Sequence, residues 1–255
     1  MSPSAHDDTV RDSFRRQVDK FSGPDSPFAQ RPPGSLSWVE PLDADLVVLE
    51  VACGAAHVAE EVAGHVRAVV GIDLTPELLA LGAERLRDAG VRNVVLQEAN
   101  GEALPFVHGT FDLVCCRGSL HHFGVPEAAV VEMVRVCRPG GRVVISDLVA
   151  PAPKVRDRFD HLHQLLDPSH RRAFVEAELP GLFPAATDLT YAETTTSRYP
   201  LDIAVTQQSD GDAVIAALRD ELAGGAETGF APSEDDGALV VAFVSCTVEV
   251  TVRTG

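Results

Sequence analysis

The sequence has little positive charge to offer an anionic partner. Lysine occurs only at Lys20 and Lys154, and 21 basic residues stand against 38 acidic ones, for a formal net charge of −17. Neutralising phosphates supplies most of the affinity of a nucleic-acid binder, so no nucleic acid is expected as a partner. The same deficit argues against an anionic membrane surface. Long apolar runs are also missing: the longest, such as residues 240–244, fall far short of the ~20 needed to cross a bilayer. The first eight residues have neither a positive start nor an apolar stretch, so no secretory signal is expected and a cytoplasmic location is. The five cysteines, Cys53, Cys115, Cys116, Cys137 and Cys246, lack metal-ligand spacing, which predicts buried reduced thiols and no bound metal. Cys115 and Cys116 are adjacent, so on a strand they point to opposite faces and cannot grip one ion together.

What is present is enough apolar material, 45% of 255 residues, for one core of α/β size with at most a small cap. A possible helix around 10–21 and a Gly/Pro/Ser-rich loop over 22–35 read as an N-terminal arm or lid, covering residues 1–45. From position 46 strand and helix signals alternate, the pattern of a parallel sheet covered on both faces. Strands are expected at 46–51, 68–73, 93–98, 111–116 and 142–149, with a helix over 58–66. In the helix after the second strand, Thr75 is placed to cap, Pro76 suits the first position, and Leu78, Leu79, Gly82 and Leu86 share one face, before Gly90 ends it. Val130, Met133, Val134 and Cys137 fall at i, i+3, i+4 and i+7 on a later helix, which Pro139-Gly140-Gly141 stops. Beyond 150 the expectation is a helical insertion over about 154–179, made of helices at 154–166 and 171–179. A Thr-rich strand at 189–198, a helix at 212–222, a solvated connector at 224–237 and a long final strand at 238–252 follow.

The chemistry concentrates where the first strand runs into Ala52-Cys53-Gly54-Ala55-Ala56-His57 and a helix. Small residues there let backbone N–H groups approach a ligand, and a helix N-terminus favours a carboxylate or phosphate. Asp73 ends the second strand 19 residues beyond Gly54 (73 − 54), where a carboxylate accepts bonds from both hydroxyls of a ribose. The pair implies an adenosine-type cofactor. A dinucleotide fold would need Gly-x-Gly-x-x-Gly to admit a pyrophosphate, and here only Gly54 is a glycine, which disfavours a nicotinamide-dependent oxidoreductase.

Further segments carry a family likeness: Val48-Leu49-Glu50-Val51 before the turn, Gly71-Ile72-Asp73-Leu74-Thr75-Pro76-Glu77, Leu104-Pro105-Phe106 with Phe111-Asp112-Leu113-Val114, Cys116-Arg117 with His121-His122-Phe123, and Arg138-Pro139-Gly140-Gly141. In order and spacing they resemble the class I S-adenosylmethionine-dependent methyltransferases, in particular the small-molecule subset related to ubiquinone and menaquinone C-methyltransferases. The resemblance is dense over 46–149; Asp167-Pro168-Ser169-His170 and the closing segment 235–250 look like later landmarks of the same subset. It implies a Rossmann-like doubly wound sheet of about seven strands, mostly parallel with an antiparallel last strand, forming a methyltransferase domain over 46–255.

The resemblance further implies S-adenosylmethionine as cofactor and S-adenosylhomocysteine as product. Glu50, Ala52 and Gly54 would lie near its methionine moiety, Asp73 on its ribose, and Leu74 against adenine. Asn100 and Gly101 would meet the adenine edge, and Arg117 the methionine end. Glu50 and Asn100 stand where the family usually has Asp, and Ala56 where it usually has Gly. The extra methyl at Ala56 is expected to lie close to the ligand and to oppose positive φ, weakening binding.

A sulfonium methyl needs an in-line nucleophile and no metal, so positioning carries much of the rate. His121 and His122 follow the fourth strand at the edge where open α/β sheets bind ligands, and either suits proton removal. His57 reads as a structural or cofactor-adjacent contact, and His161 and His163 as solvated. His170 either follows a helix start or lines an acceptor pocket built from the arm and the insertion. The expected activity is methyl transfer to a small, largely apolar acceptor. The alternative is a protein that binds the same cofactor without transferring its methyl, in a pocket-forming or cyclase-like role.

Overall fold

A computed structural model describes residues 4–21, 34–201 and 211–254. Two helices, α1 (Ala5–Arg16) and α2 (Val18–Phe21), precede an alternating core: β1 (Val47–Val51), α3 (His57–Val62), β2 (Ala68–Asp73), α4 (Pro76–Asp88), β3 (Val94–Glu98), β4 (Phe111–Arg117), α5 (Pro126–Val136) and β5 (Cys137–Val149). Then come α6 (Arg156–Leu166), β6 (Thr187–Pro200), α7 (Gly211–Leu222), β7 (Ser233–Asp235) and β8 (Ala238–Val252).

One sheet runs in the order β3-β2-β1-β4-β5-β8-β6, with β7 paired to β8. The first five strands are parallel, and β8 lies antiparallel to both β5 and β6. The expected architecture is therefore present, with β7 as an eighth strand. Helices cover both faces, so a central strand buries side chains on both sides. Leu49 and Val51 enter one apolar cluster and Val48 the other. Cys116 and Cys115 divide the same way, and all five cysteines are buried free thiols. Among the described residues no helix is long and apolar enough to cross a membrane.

Several boundaries differ from the sequence reading for local reasons. The first helix starts at Ala5, not near position 10, because Ser4 and Asp7 form a reciprocal cap: the Asp7 N–H donates to Ser4 Oγ at 3.1 Å and the Ser4 N–H to Asp7 Oδ2 at 2.9 Å. Most of the loop expected over 22–35 lies outside the described residues. Thr75 sits at the N-cap of α4 but makes no side-chain capping bond; its N–H is instead taken by Asp73 Oδ1 at 2.8 Å. The helix expected over 171–179 does not form. That stretch runs extended alongside the end of β5, through a bridge between Val149 and Phe174, and coils only as a 3₁₀ segment at Glu176–Leu182.

The region expected to be a solvated connector is partly core. Phe230 is fully buried in a third apolar cluster with Phe159, Leu162 and Leu166 of α6 and Val214 and Leu218 of α7. The insertion helix is thereby tied to residues well beyond 179. Truncating so large a buried side chain leaves a cavity. Phe230→Ala is expected to cost about 3–5 kcal/mol, lowering the melting temperature by roughly 6–20 °C in a calorimetric scan.

Candidate functional site

The carboxyl ends of β1, β2 and β4 converge on the turn that follows β1. Ala52 and Ala56 both adopt left-handed backbone, at φ 58° and 59°, as does Gly54 at 53°. A left-handed alanine costs about 1–2 kcal/mol, so this turn is held against its intrinsic preference. The Ala56 methyl does not face the cleft as expected. It is fully buried against α4, where a Cβ added at Gly82 would lie 3.1 Å from the Ala56 Cβ. Gly82 therefore makes the room that the Ala56 methyl takes, while the left-handed backbone at Ala56 remains a cost of having alanine there. At Gly54 the opposite holds: an added Cβ would meet only Leu78, at 3.9 Å, leaving space in front of the turn for a ligand to approach the backbone.

Two carboxylates flank that space. Asp73 accepts the Gly54 N–H at Oδ2 and the Thr75 N–H at Oδ1, each at 2.8 Å. Burial raises its pKa, with these two N–H bonds opposing. Each oxygen keeps a further lone-pair site for a ligand hydroxyl. Glu50 is 4% exposed, and its Oε2 is buried with no partner. Burial drives its pKa up to about 8; the Ala59 N–H pulls it down, nearby Asp73 pushes it further up, and Arg117 pulls it down. An unpartnered buried carboxyl oxygen costs free energy unless a donor or cation meets it. The chemistry fits S-adenosylmethionine, whose ammonium group and ribose hydroxyls are donors that Glu50 Oε2 and Asp73 would accept.

The remaining positions lie around this centre. Leu74 is half-buried and its carbonyl accepts from Arg11 Nε at 3.0 Å. Asn100 Oδ1 accepts the Glu102 N–H at 2.8 Å, while its Nδ2 donates to Asp7 at 3.4 Å. Gly101 is packed so closely that an added Cβ would lie 2.7 Å from Phe123 and 2.9 Å from Val51. Arg117 is exposed, with its guanidinium 5.6 Å from the centre of the Trp38 ring. His57 meets Arg85 and the Phe21 carbonyl.

The two candidate bases sit on a 3₁₀ turn, Leu120–His122, with ring centroids 4.0 Å apart. They belong to a larger buried array. His121 Nδ1 lies 2.5 Å from Asp147 Oδ1, His122 Nδ1 is 3.1 Å from Ser169 Oγ, and Ser169 Oγ donates to Asp167 at 2.5 Å. His170 Nε2 lies 2.7 Å from Asp160, and His163 stacks on His170 at 4.5 Å. His163 is thus part of this array and not solvated. No helix starts at Asp167-Pro168-Ser169-His170; Asp167 closes a turn by accepting the Ser169 N–H at 2.9 Å.

The four rings respond differently to this burial. Burial alone would lower His121, but contact with Asp147 outweighs it and raises the pKa. Burial and the neighbouring His121 push His122 down to about 3. Burial also lowers His163, well below its ordinary value, and His170, where Asp160 opposes it. The sequence reading missed Asp147, although a carboxylate inside the apolar run Val143-Val144-Ile145-Ser146-Asp147-Leu148-Val149 is itself a signal, since such groups are rarely buried unpaired.

Helix α1 spans both centres. Arg11 and Asp7 reach Leu74 and Asn100, while the His6 ring is 2.7 Å from the His122 carbonyl, Ser13 Oγ donates to Asp167 at 2.9 Å, and Phe14 meets the His122 ring edge-on at 5.1 Å.

A mostly parallel sheet in this order, with a small-residue turn after β1 and an acidic residue ending β2, defines a Rossmann-like methyltransferase fold. The family described as "Methyltransferase domain" matches residues 49–145. YcgJ of Bacillus subtilis (strain 168), described as an uncharacterized methyltransferase, is 36% identical over 147 residues, covering 57% of this chain and 58% of that protein. The ubiquinone/menaquinone biosynthesis C-methyltransferase UbiE of Blochmanniella pennsylvanica (strain BPEN) is 34% identical over 125 residues, 48% of this chain and 47% of UbiE. The matched sequence thus spans about half the length of these relatives. In three dimensions the crystal structure of YcgJ superimposes with a TM-score of 0.72 at 27% identity, covering 84% of this chain and 94% of YcgJ. A Bacillus halodurans C-125 structure reaches 0.77 at 25% identity, covering 87% and 98%. The chain carries a methyltransferase domain, its relatives include UbiE C-methyltransferases, and its structural neighbours are class I methyltransferases.

Proposed function

We propose that the protein binds S-adenosylmethionine across the turn after β1 and transfers its methyl group to a small, largely apolar acceptor. The observation that carries this reading is Glu50 Oε2, buried and unpartnered beside a turn where an added Cβ at Gly54 would meet only Leu78, at 3.9 Å. When bound, the sulfonium supplies an electrophilic methyl carbon. Glu50 would hold the ammonium of the methionine portion, with Ala52 and Gly54 presenting backbone beside it and Arg117 near the carboxylate end. Asp73 would take the ribose hydroxyls, and Leu74, Asn100 and Gly101 would border adenine. The acceptor would lie where α1 meets the histidine array, with His121 or His122 receiving its proton. In-line placement in a site closed to water then supplies most of the rate.

Calorimetry with S-adenosylmethionine and S-adenosylhomocysteine tests the first half, and label transfer from the methyl-labelled donor to panels of phenols, quinones and amines tests the second. Binding of both ligands, and a labelled acceptor formed in step with S-adenosylhomocysteine, is the expected result. Absence of binding would sink the proposal. Binding with no transfer across the panel would favour the cofactor-organised, non-transferring role.

A further inference from the structure

Asp147 is 2% exposed and sits mid-sheet in β5, where it spends both oxygens on the turn that carries His121 and His122. Oδ2 accepts the N–H groups of Leu120 and, at 3.3 Å, His121. Oδ1 lies 2.5 Å from His121 Nδ1 and accepts the Leu148 N–H at 2.5 Å. An ionised carboxylate only accepts, so the proton of a neutral His121 resides on Nδ1 and its lone pair on Nε2. Among the described residues nothing is hydrogen-bonded to that Nε2.

The other rings are held differently. His122 reaches Asp167 only through the Ser169 hydroxyl. His170 has its Nε2 occupied by Asp160, and His163 Nδ1 is buried with no partner. The charged and titratable groups around His121 are therefore Asp147 in contact, His122, His170 and His163 at ring distances of 4.0, 5.4 and 6.3 Å, and Asp160 and Asp167 beyond them. Of these four rings, His170 also carries a carboxylate but has its other nitrogen, Nδ1, buried without a partner, so only His121 combines a carboxylate on its ring with a second nitrogen that is not buried.

We propose that Asp147 is the positioning residue of the methyl-transfer reaction: it locks His121 in the Nδ1–H tautomer, aims Nε2 as the proton acceptor, and neutralises the imidazolium that forms. This rests on the methyltransferase reading above and assigns the base to His121 over His122. The step balances. The proton leaves the nucleophilic O, N or C of the acceptor for Nε2, the pair it leaves behind supports the new bond to the methyl carbon, and the pair of the S–CH₃ bond stays on sulfur. The acceptor class is accordingly one whose nucleophilic atom carries a proton to lose, such as a phenol, enol or amine, and not a tertiary amine or thioether.

Asp147→Asn provides the test. The Leu120 and His121 N–H groups, two against the single Leu148 N–H on the other side, hold the amide oxygen in the Oδ2 place, so the amide NH₂ gives up the Leu148 bond, faces His121 Nδ1, donates to it, and drives the proton to Nε2. Two-bond ¹H–¹⁵N spectra of the full chain labelled in histidine, assigned with His121→Gln, read the tautomer without any acceptor. At a pH high enough to keep His121 neutral despite the raised pKa, wild type is expected as Nδ1–H and Asp147→Asn as Nε2–H. Label transfer should fall by ~10²–10⁴, the scale of a wrong-tautomer loss, while the Kd for S-adenosylmethionine stays within about threefold. Wild-type His121 in the Nε2–H form, or an unchanged tautomer in Asp147→Asn, overturns the proposal. If Asp147→Asn does not fold, the wild-type tautomer alone decides. Failure to bind S-adenosylmethionine would defeat the broader reading and leave this spectrum unaffected, so the two failures are distinguishable.

Discussion

Asp73→Ala is expected to weaken S-adenosylmethionine binding by roughly 10²–10⁴, since each bond from a ribose hydroxyl to a carboxylate is worth about 1.5–3 kcal/mol. The loss has a second source inside the protein. Asp73 also accepts the N–H groups of Gly54 and Thr75, so truncation strands two donors at the turn that must meet the ligand. Asp73→Asn separates the two contributions, because an amide oxygen can satisfy one N–H while the charge is lost. Titration calorimetry on folded variants, checked by circular dichroism, reads both. Affinity unchanged in Asp73→Ala would remove the ribose assignment.

Glu50→Gln should move binding and stability in opposite directions. With a folded-state pKa of about 8 against an ordinary 4.5, Glu50 is protonated in the free protein at pH 7. The raised value means the folded state holds a proton that the unfolded chain gives up. Its stabilising contribution is full below pH 4.5, shrinks as pH rises, and is gone above about 8. Glutamine never ionises, so Glu50→Gln should melt several degrees higher than wild type at pH 8 and nearly level with it at pH 4.5. It should also lose at least ~100-fold in affinity, because the ammonium no longer meets a charge. In wild type, binding at pH 7 should release close to one proton as Glu50 ionises, measurable by titration in buffers of different ionisation enthalpy. Affinity should tighten by about tenfold per pH unit between pH 6 and 7.5.

Much of the frame was legible because its signals are local. β2 at 68–73 and β8 at 238–252 match the expected bounds: β2 is a largely apolar run of the kind a doubly covered sheet buries on both faces, and β8 is apolar over 238–244 and alternates apolar and polar residues beyond. The turn after β1 and its offset from Asp73 were legible for the same reason. Signals that depend on a distant partner were not. The Ala56 methyl looked obstructive until Gly82, 26 residues on (82 − 56), proved to face it. Residues 171–175 have helix-compatible side chains but are drawn out along β5, where the Ala150 N–H donates to the Phe174 carbonyl at 2.7 Å. The β7–β8 hairpin carried its own cue, Asp236-Gly237 with both residues at positive φ, the preferred pair for a two-residue turn; in an acidic stretch it read as solvated chain. The histidine array was half visible, since His121 and His122 stand together in sequence while Asp147, Asp160 and Asp167 come from β5, α6 and the turn beyond it.

Helix α1 touches Leu74 and Asn100 through Arg11 and Asp7, and His122 and Asp167 through His6 and Ser13, so on the proposed reading one helix lies over two ligands at once. Neither spent donor nor finished product then has a private exit. On that reading, a change that displaces α1 would alter the release of both.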